Sequence, residues 1–292
     1  GFDVLGLAIE GPGDTVVARR APGGLRIAAI TGEGGALSTD VDANTAGVAA
    51  RETLRRLGID PASAGIELAV HKGMPIGSGL GSSAASAAAA AYAVNLLCGG
   101  PLRREDLIGP CIEAEAVVSG RHADNVAAAL LGGLVLVRSV DPLDVVRLPT
   151  PSGLRLVVVT PDFELPTRTA RAALPAQVSL KAMVTHAAQL ATVVAACYAD
   201  DPALLTRGLR DPVVTPARAA LIPGGEAVMR AAEAAGALGS GICGAGPSLF
   251  ALCHAAGVAR AVEAAMLTAF ADAGLTARAC VSPLDCPGVT TR

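Results

Sequence analysis

The chain has no tryptophan, and two tyrosines with four phenylalanines bring its aromatic share to only 2%. It has no block of lysine or arginine either, and 292 residues carry a net charge of −3. Nucleic-acid binding calls for basic stripes and stacking rings, so no nucleic-acid partner is expected. The core must be built from alanine, valine and leucine. No two of the seven cysteines (Cys98, Cys111, Cys197, Cys243, Cys253, Cys280, Cys286) form a C-x-x-C pair. An odd count at irregular spacing fits reduced thiols and a cytoplasmic location. The four histidines form no H-E-x-x-H and no zinc pattern. Long apolar runs are also lacking. The most tempting stretch, residues 84–98, is mostly alanine and is interrupted by Ser86 and Asn95, so no membrane crossing is expected. The chain opens GFDVLGLAIE, without a basic n-region or a starting Met, and an N-terminal truncation is expected.

What is present indicates a globular α+β protein with a large core, since 52% of the residues are hydrophobic and 17% are charged. Residues 15–20 and 25–30 read as strands around a Pro22-Gly23-Gly24 turn. Residues 44–57 read as a helix capped by Asn44 and ended by Gly58. A strand is expected at 66–72, helices at 82–97, 104–118 and 122–131, and strands at 133–139 and 154–160. Proline-rich patches at 141–151 and 160–166 place a domain boundary near residue 150. The second half reads as helical to about residue 235, then as strand (248–253), helix (258–273) and strand (276–282).

The most informative stretch is residues 75–91, PIGSGLGSSAASAAAAA. Three alternating glycines let a backbone turn sharply and approach a ligand. Ser82 and Ser83 then stand where a helix begins, with hydroxyls and unbonded N–H groups expected to point together. Such a helix start suits phosphate. The stretch is neither a P-loop, for want of the lysine, nor G-x-G-x-x-G, which fails at Ser82. That fingerprint does fit Gly239, Gly241 and Gly244, but a strand rather than a helix follows, so it is a decoy. Cys243 lies in that second glycine segment. Burial as a small apolar residue suits it better than reactivity.

PIGSGLGSSAA after a strand resembles the second motif of the GHMP kinases, a family of ATP-dependent small-molecule kinases. GICGAGPSLFAL (241–252) resembles their third motif, and GFDVLGLAIE the tail of their first. HADNVAAALLGGLVLV (122–137), TRTARAALPAQVSL (167–180) and PARAALIPG (216–224) are similar to segments of the homoserine kinase branch. Ala128 stands where that branch often has proline. The resemblance spans nearly the whole chain. It implies a two-lobed fold, with an N-terminal lobe like ribosomal protein S5 domain 2 (1–150, its first strand missing) and a ferredoxin-like C-terminal lobe (151–292).

The resemblance also implies ATP and Mg²⁺ as cofactors, L-homoserine as substrate, and a homodimer as one assembly the family allows. Pro75, Ile76, Gly77, Ser78, Gly79, Leu80, Gly81, Ser82, Ser83, Ala84 and Ala85 would wrap the ATP phosphates. Ser83 and Glu115 would hold Mg²⁺, with Glu113 the rival carboxylate. Asp3 and Asn125 would face the substrate in the catalytic region, with His122, Thr167, Arg171 and Arg218 around it. The two arginines would pair with its carboxylate, and residues 241–246 would support the phosphate loop. With asparagine where relatives place an aspartate base, the hydroxyl would attack directly and pass its proton to a phosphate oxygen.

Each assignment has a plainer alternative. Glu113 and Glu115 read equally as a solvated pair, Arg171 and Arg218 as surface charges, Asp3 as a turn cap, Asn125 as a helix cap and His122 as a buried core histidine. Two further readings stand beside the main one. One is a relative acting on mevalonate or a sugar; the other is a non-catalytic small-molecule sensor on the same fold.

Overall fold

Strand β4 (Ile66–His71) is apolar almost throughout because it is the middle strand of its sheet. Its neighbours are β2 (Thr15–Arg20), antiparallel, and β3 (Leu25–Thr31), parallel. The computed structural model describes residues 4–32, 35 and 37–291. Although Pro22-Gly23-Gly24 joins β2 to β3, these strands do not pair with each other. The turn is bonded instead to the segment before β4, through Ala21 N–H to Gly65 O and Leu25 N–H to Pro61 O. That leaves a strand-wide slot which β4 fills. Buried Glu67 on β4 accepts Arg19 and Arg26 from both flanks. These side-chain bonds, from Arg19 first, hold its carboxyl below the usual range.

Helix α1 (Thr45–Arg56) connects β3 to β4, and the side chain of Asn44 caps it by accepting Ala46 N–H at 2.9 Å. Gly58 follows the end of α1 at φ +74°. Helix α2 (Ser82–Leu97) packs against α1 through small side chains. Ala49, Ala87, Ala88 and Ala91 share one buried cluster with Val48. This is how a chain poor in rings fills a core: alanine lets helix axes approach. Helices α3 (Ile108–Ala116) and α4 (Asp124–Leu131) complete that cluster. The expected helix over 104–118 starts later. A single 3₁₀ turn (Glu105–Leu107) precedes α3, so Pro110 falls in the first turn, where its missing N–H costs nothing. Likewise α4 begins at Asp124 rather than at 122.

Three strands escaped the sequence reading. β1 (Leu5–Leu7) has only three residues and takes its regularity from pairing with β5 (Leu134–Val140). β6 (Leu143–Leu148) lies inside a stretch read as a proline-rich linker, and it pairs with β5 on the other side. β8 (Gly239–Ile242) is glycine-rich and pairs along one edge only, with β9 (Leu249–His254).

The third sheet has the order β10-β7-β9-β8, with β7 (Leu154–Pro161) and β10 (Ala277–Pro283), and all neighbours are antiparallel. With helices between β7 and β8 and α10 (Ala256–Asp272) between β9 and β10, this is the β-α-β-β-α-β arrangement of ferredoxin-like folds. The chain is therefore α+β, with helices α5 (Thr167–Ala172), α6 (Leu180–Ala199), α7 (Pro202–Gly208), α8 (Val214–Ala219) and α9 (Gly225–Ala234) between β7 and β8. Strand alternation sorts β7 between two cores. Val157 and Val159 join Met266 and Phe270 on one face. Leu156 and Val158 join Val193 and Leu205 on the other, where Leu5, Leu7 and Leu80 also pack. That second core joins the two halves.

The chain after β10 does not stay with its own sheet. Gly133 N–H donates to Cys286 O, Val289 N–H to Ala129 O and Arg104 to Val289 O, so residues 286–289 lie on the first half. Contrary to the expectation of no membrane-length run, α6 is 20 residues long, with a window of mean hydropathy 1.3 that is 17% buried. Lys181, His186 and Gln189 interrupt it in sequence, which hid its overall apolar character. Leu180, Met183 and Val184 are exposed on it, while Val193, Ala196 and Cys197 face the joining core.

Candidate active site

The glycine segment leaves β4, turns over residues 73–81 and enters α2. Gly77, Gly79 and Gly81 all have positive φ. Two of them show why no other residue serves. A Cβ at Gly79 would lie 2.4 Å from the carbonyl oxygen of Cys243 and 2.7 Å from that of Gly246. At Gly81, φ is +74° and a Cβ would lie 3.0 Å from Asn125 Oδ1. Ser248 N–H donates to Ser78 O at 3.1 Å. The two glycine segments, some 165 residues apart in sequence, therefore interlock backbone to backbone.

Gly81 is the N-cap of α2, and no side chain caps it. Ser82 and Ser83, which begin that helix, line a cavity of about 720 Å³ bounded by both halves of the chain. Ile76, Gly77, Ser78, Gly79, Gly81, Ser82 and Ser83 line it; Pro75, Leu80, Ala84 and Ala85 do not. Leu80 packs in the joining core and Ala84 in the helical one. The serine hydroxyls do not all point outward as expected. Ser82 donates to Met74 O at 3.1 Å and Ser78 to Pro75 O at 2.8 Å, so both brace the loop.

The sequence candidates from later in the chain meet across this cavity. Glu115, His122, Asn125, Thr167, Arg171 and Arg218 all line it; Asp3 lies outside the described residues. Arg171 donates to Ser119 O at 2.7 Å and to His122 Nε2 at 2.6 Å. Arg218, 7% exposed, donates through Nε to Ala170 O at 3.2 Å and through Nη1 to Gly244 O at 2.7 Å. It is not a surface charge, and it ties α5 and α8 to the second glycine segment. Asp211 precedes α8 and satisfies its start, accepting N–H from Val213, Val214 and Thr215 and the Thr215 hydroxyl. Burial raises its carboxyl, but those four bonds outweigh it and hold the group below the usual range. Asn125 lies within α4 rather than capping it, since the N-cap is Ala123.

The two glutamates part clearly. Glu113 is half-exposed and pairs with Arg121. Glu115 is 3% exposed, faces the cavity and accepts the Ser119 hydroxyl at 3.2 Å. A carboxylate and the Ser83 hydroxyl in one cavity are hard oxygen donors of the kind Mg²⁺ takes, with its remaining positions left to water and phosphate. Among the described residues, no group of three or more His, Cys, Asp or Glu forms a metal cluster. Burial pushes the Cys243 thiol up to about 12, with Cys280 adding to it. It is thus a protonated spacer at neutral pH and not a nucleophile. Sequence reasoning missed Asp14, Lys72, Asp124 and Asp211. Asp124 lies inside the HADNV segment but has no role assigned there; the other three belong to no recognisable spacing, and only the fold brings them to the loop or the cavity.

Residues 44–133 match the family described as GHMP kinases N terminal domain, and residues 193–271 match GHMP kinases C terminal. The class is thus an ATP-dependent small-molecule kinase. The chain is 46% identical to a homoserine kinase of Arabidopsis thaliana over 293 residues, covering 98% of this chain and 79% of that protein. The crystal structure of a homoserine kinase from Cytophaga hutchinsonii superposes with a TM-score of 0.94 at 43% identity, over 99% of this chain and 91% of that one. An L. major mevalonate kinase solved with R-mevalonate shares the fold at 18% identity and a TM-score of 0.72, covering 94% of this chain and 88% of that one. The chain belongs to the homoserine kinase family within the GHMP kinases.

The interlock should govern both stability and turnover. Gly79→Ala should lower the melting temperature and reduce kcat by at least about tenfold, since backbone atoms with no room to retreat meet the new methyl. A variant with the parent's melting curve and kcat would show the two segments to be merely adjacent.

Proposed function

We propose that this cavity transfers the γ-phosphoryl group of ATP to the side-chain hydroxyl of L-homoserine, giving ADP and O-phospho-L-homoserine. The observation that carries the reading is that an uncapped helix start behind a glycine loop lines the same cavity as Arg171, Arg218 and His122. Phosphoryl transfer needs little covalent help from protein; positioning and charge neutralisation do most of it. The N–H groups of the loop and of α2 would take the phosphates. Arg171 and Arg218 would bind the substrate carboxylate, and Asn125, against Gly81, would orient the hydroxyl beside the phosphate loop. Ser83 and Glu115 would hold Mg²⁺, which neutralises phosphate charge when bound. Asp3 belongs to this reading as a substrate-facing residue. The division of the chain near residue 150, with the site between the lobes, belongs to it as well.

A coupled ADP assay across L-homoserine, mevalonate and galactose tests the proposal. Turnover should require homoserine, and preference for either other substrate would overturn it. Arg171→Ala and Arg218→Ala should each raise KM for homoserine by about ten- to a hundred-fold, as expected when a charge-assisted bond of roughly 1.5–3 kcal/mol is lost. KM for ATP should hardly change; an equal rise would put the arginines on the nucleotide. Glu115→Gln should cut kcat by at least about a hundredfold and weaken the Mg²⁺ dependence of nucleotide binding, whereas Glu113→Gln should do neither. Equal mild effects would remove the metal assignment.

A further inference from the structure

Asp14 lies outside every motif, in the segment before β2, yet its carboxylate is fully buried, at 0% exposure. Its Oδ1 accepts the N–H groups of Gly73 and Met74, each at 3.0 Å. Its Oδ2 accepts the Ser86 hydroxyl at 2.6 Å and pairs with the ammonium of Lys72, itself 3% exposed. That ammonium also donates to Ser82 O at 2.8 Å and to Ser86 Oγ at 2.9 Å. One carboxylate therefore grips the two residues that begin the glycine loop. Its cationic partner grips the first two turns of α2, where the loop ends.

We infer that Asp14 is a positioning residue for the phosphate loop, acting through Lys72 and Ser86; this rests on reading that loop as the cradle for the ATP phosphates. Three positive-φ glycines leave the loop much backbone freedom. Unrestrained, the loop would sample arrangements in which its N–H groups diverge. Pinning both of its ends to one ion pair removes that freedom before nucleotide arrives. Taking two charges out of water is costly unless further hydrogen bonds satisfy them, and here both groups have such bonds. Asp14 itself does not line the cavity, whereas Lys72 and Ser86 do. Its effect must therefore pass through these two side chains and the loop they hold.

The test compares Asp14→Asn with the parent at a temperature where both are folded. KM for ATP should rise by about tenfold or more and kcat should fall, while KM for homoserine stays within about twofold. Backbone hydrogen exchange at residues 73, 74 and 77–81 should speed up in the nucleotide-free protein. Met266→Ala, a buried substitution in the far core of the third sheet, is the control: it should lower the melting temperature without changing KM for ATP. Should Asp14→Asn fail to fold, the double variant Asp14→Asn, Lys72→Met removes both charges at similar volume and must show the same rise. An unchanged KM for ATP in a folded variant overturns the inference. So does a rise matched by Met266→Ala, because it makes the pair a general stabiliser. If the parent itself forms no ADP with homoserine, the reading of the cavity fails instead, and that result is separable from the first two.

Discussion

The structure depends on the close approach of two backbones. Residues 77–81 and 243–246 touch at a distance that only glycine allows, with the Gly79 position facing two carbonyl oxygens from the other half. That contact brings residues of both glycine segments into one cavity. It also lets Arg218, bonded to Gly244 O, share a cavity with the loop. Leu80 secures the contact from beneath, reaching from the loop into the core that β7 shares with β1 and β5.

Around this joint the charges are divided by depth. Lys72, Asp14, Glu115 and Arg218 are buried and held by hydrogen bonds, so each keeps one orientation. Glu113, Arg121 and Glu226 lie nearer the solvent in pairs whose worth is screened. The cavity thus brings together a helix start, two guanidinium groups, a carboxylate and serine residues. That distribution suits an anionic nucleotide beside a small substrate that is itself anionic at one end.

Much of this was legible in the residues. The loop 75–91 announced itself by alternating glycines before an alanine helix, and α2 begins and ends where that pattern says. Asn44 and Gly58 marked both ends of α1 because capping is a local property. The later site residues came through likeness to a family, since Arg171 or Arg218 alone reads as an ordinary surface charge. What stayed hidden depends on partners distant in sequence. β1 and β8 are too short or too glycine-rich to declare themselves and exist because β5 and β9 pair with them. The insertion of β4 between β2 and β3 cannot be read from the turn joining those two. Asp14 carries no spacing signal, because its partners lie 58 to 72 residues away. The inward turn of the Ser82 hydroxyl was equally invisible, since helix-start serines more often face the open end.

The central claim is that one site, built from both glycine segments, receives the phosphates of ATP. Backbone hydrogen exchange, followed with and without ATP and Mg²⁺, measures it most directly. Residues 77–83 and 243–246 should become protected together, over the same range of nucleotide concentration, because neither segment can settle without the other. Protection confined to one segment, or arising elsewhere while both continue to exchange as in the free protein, would contradict it.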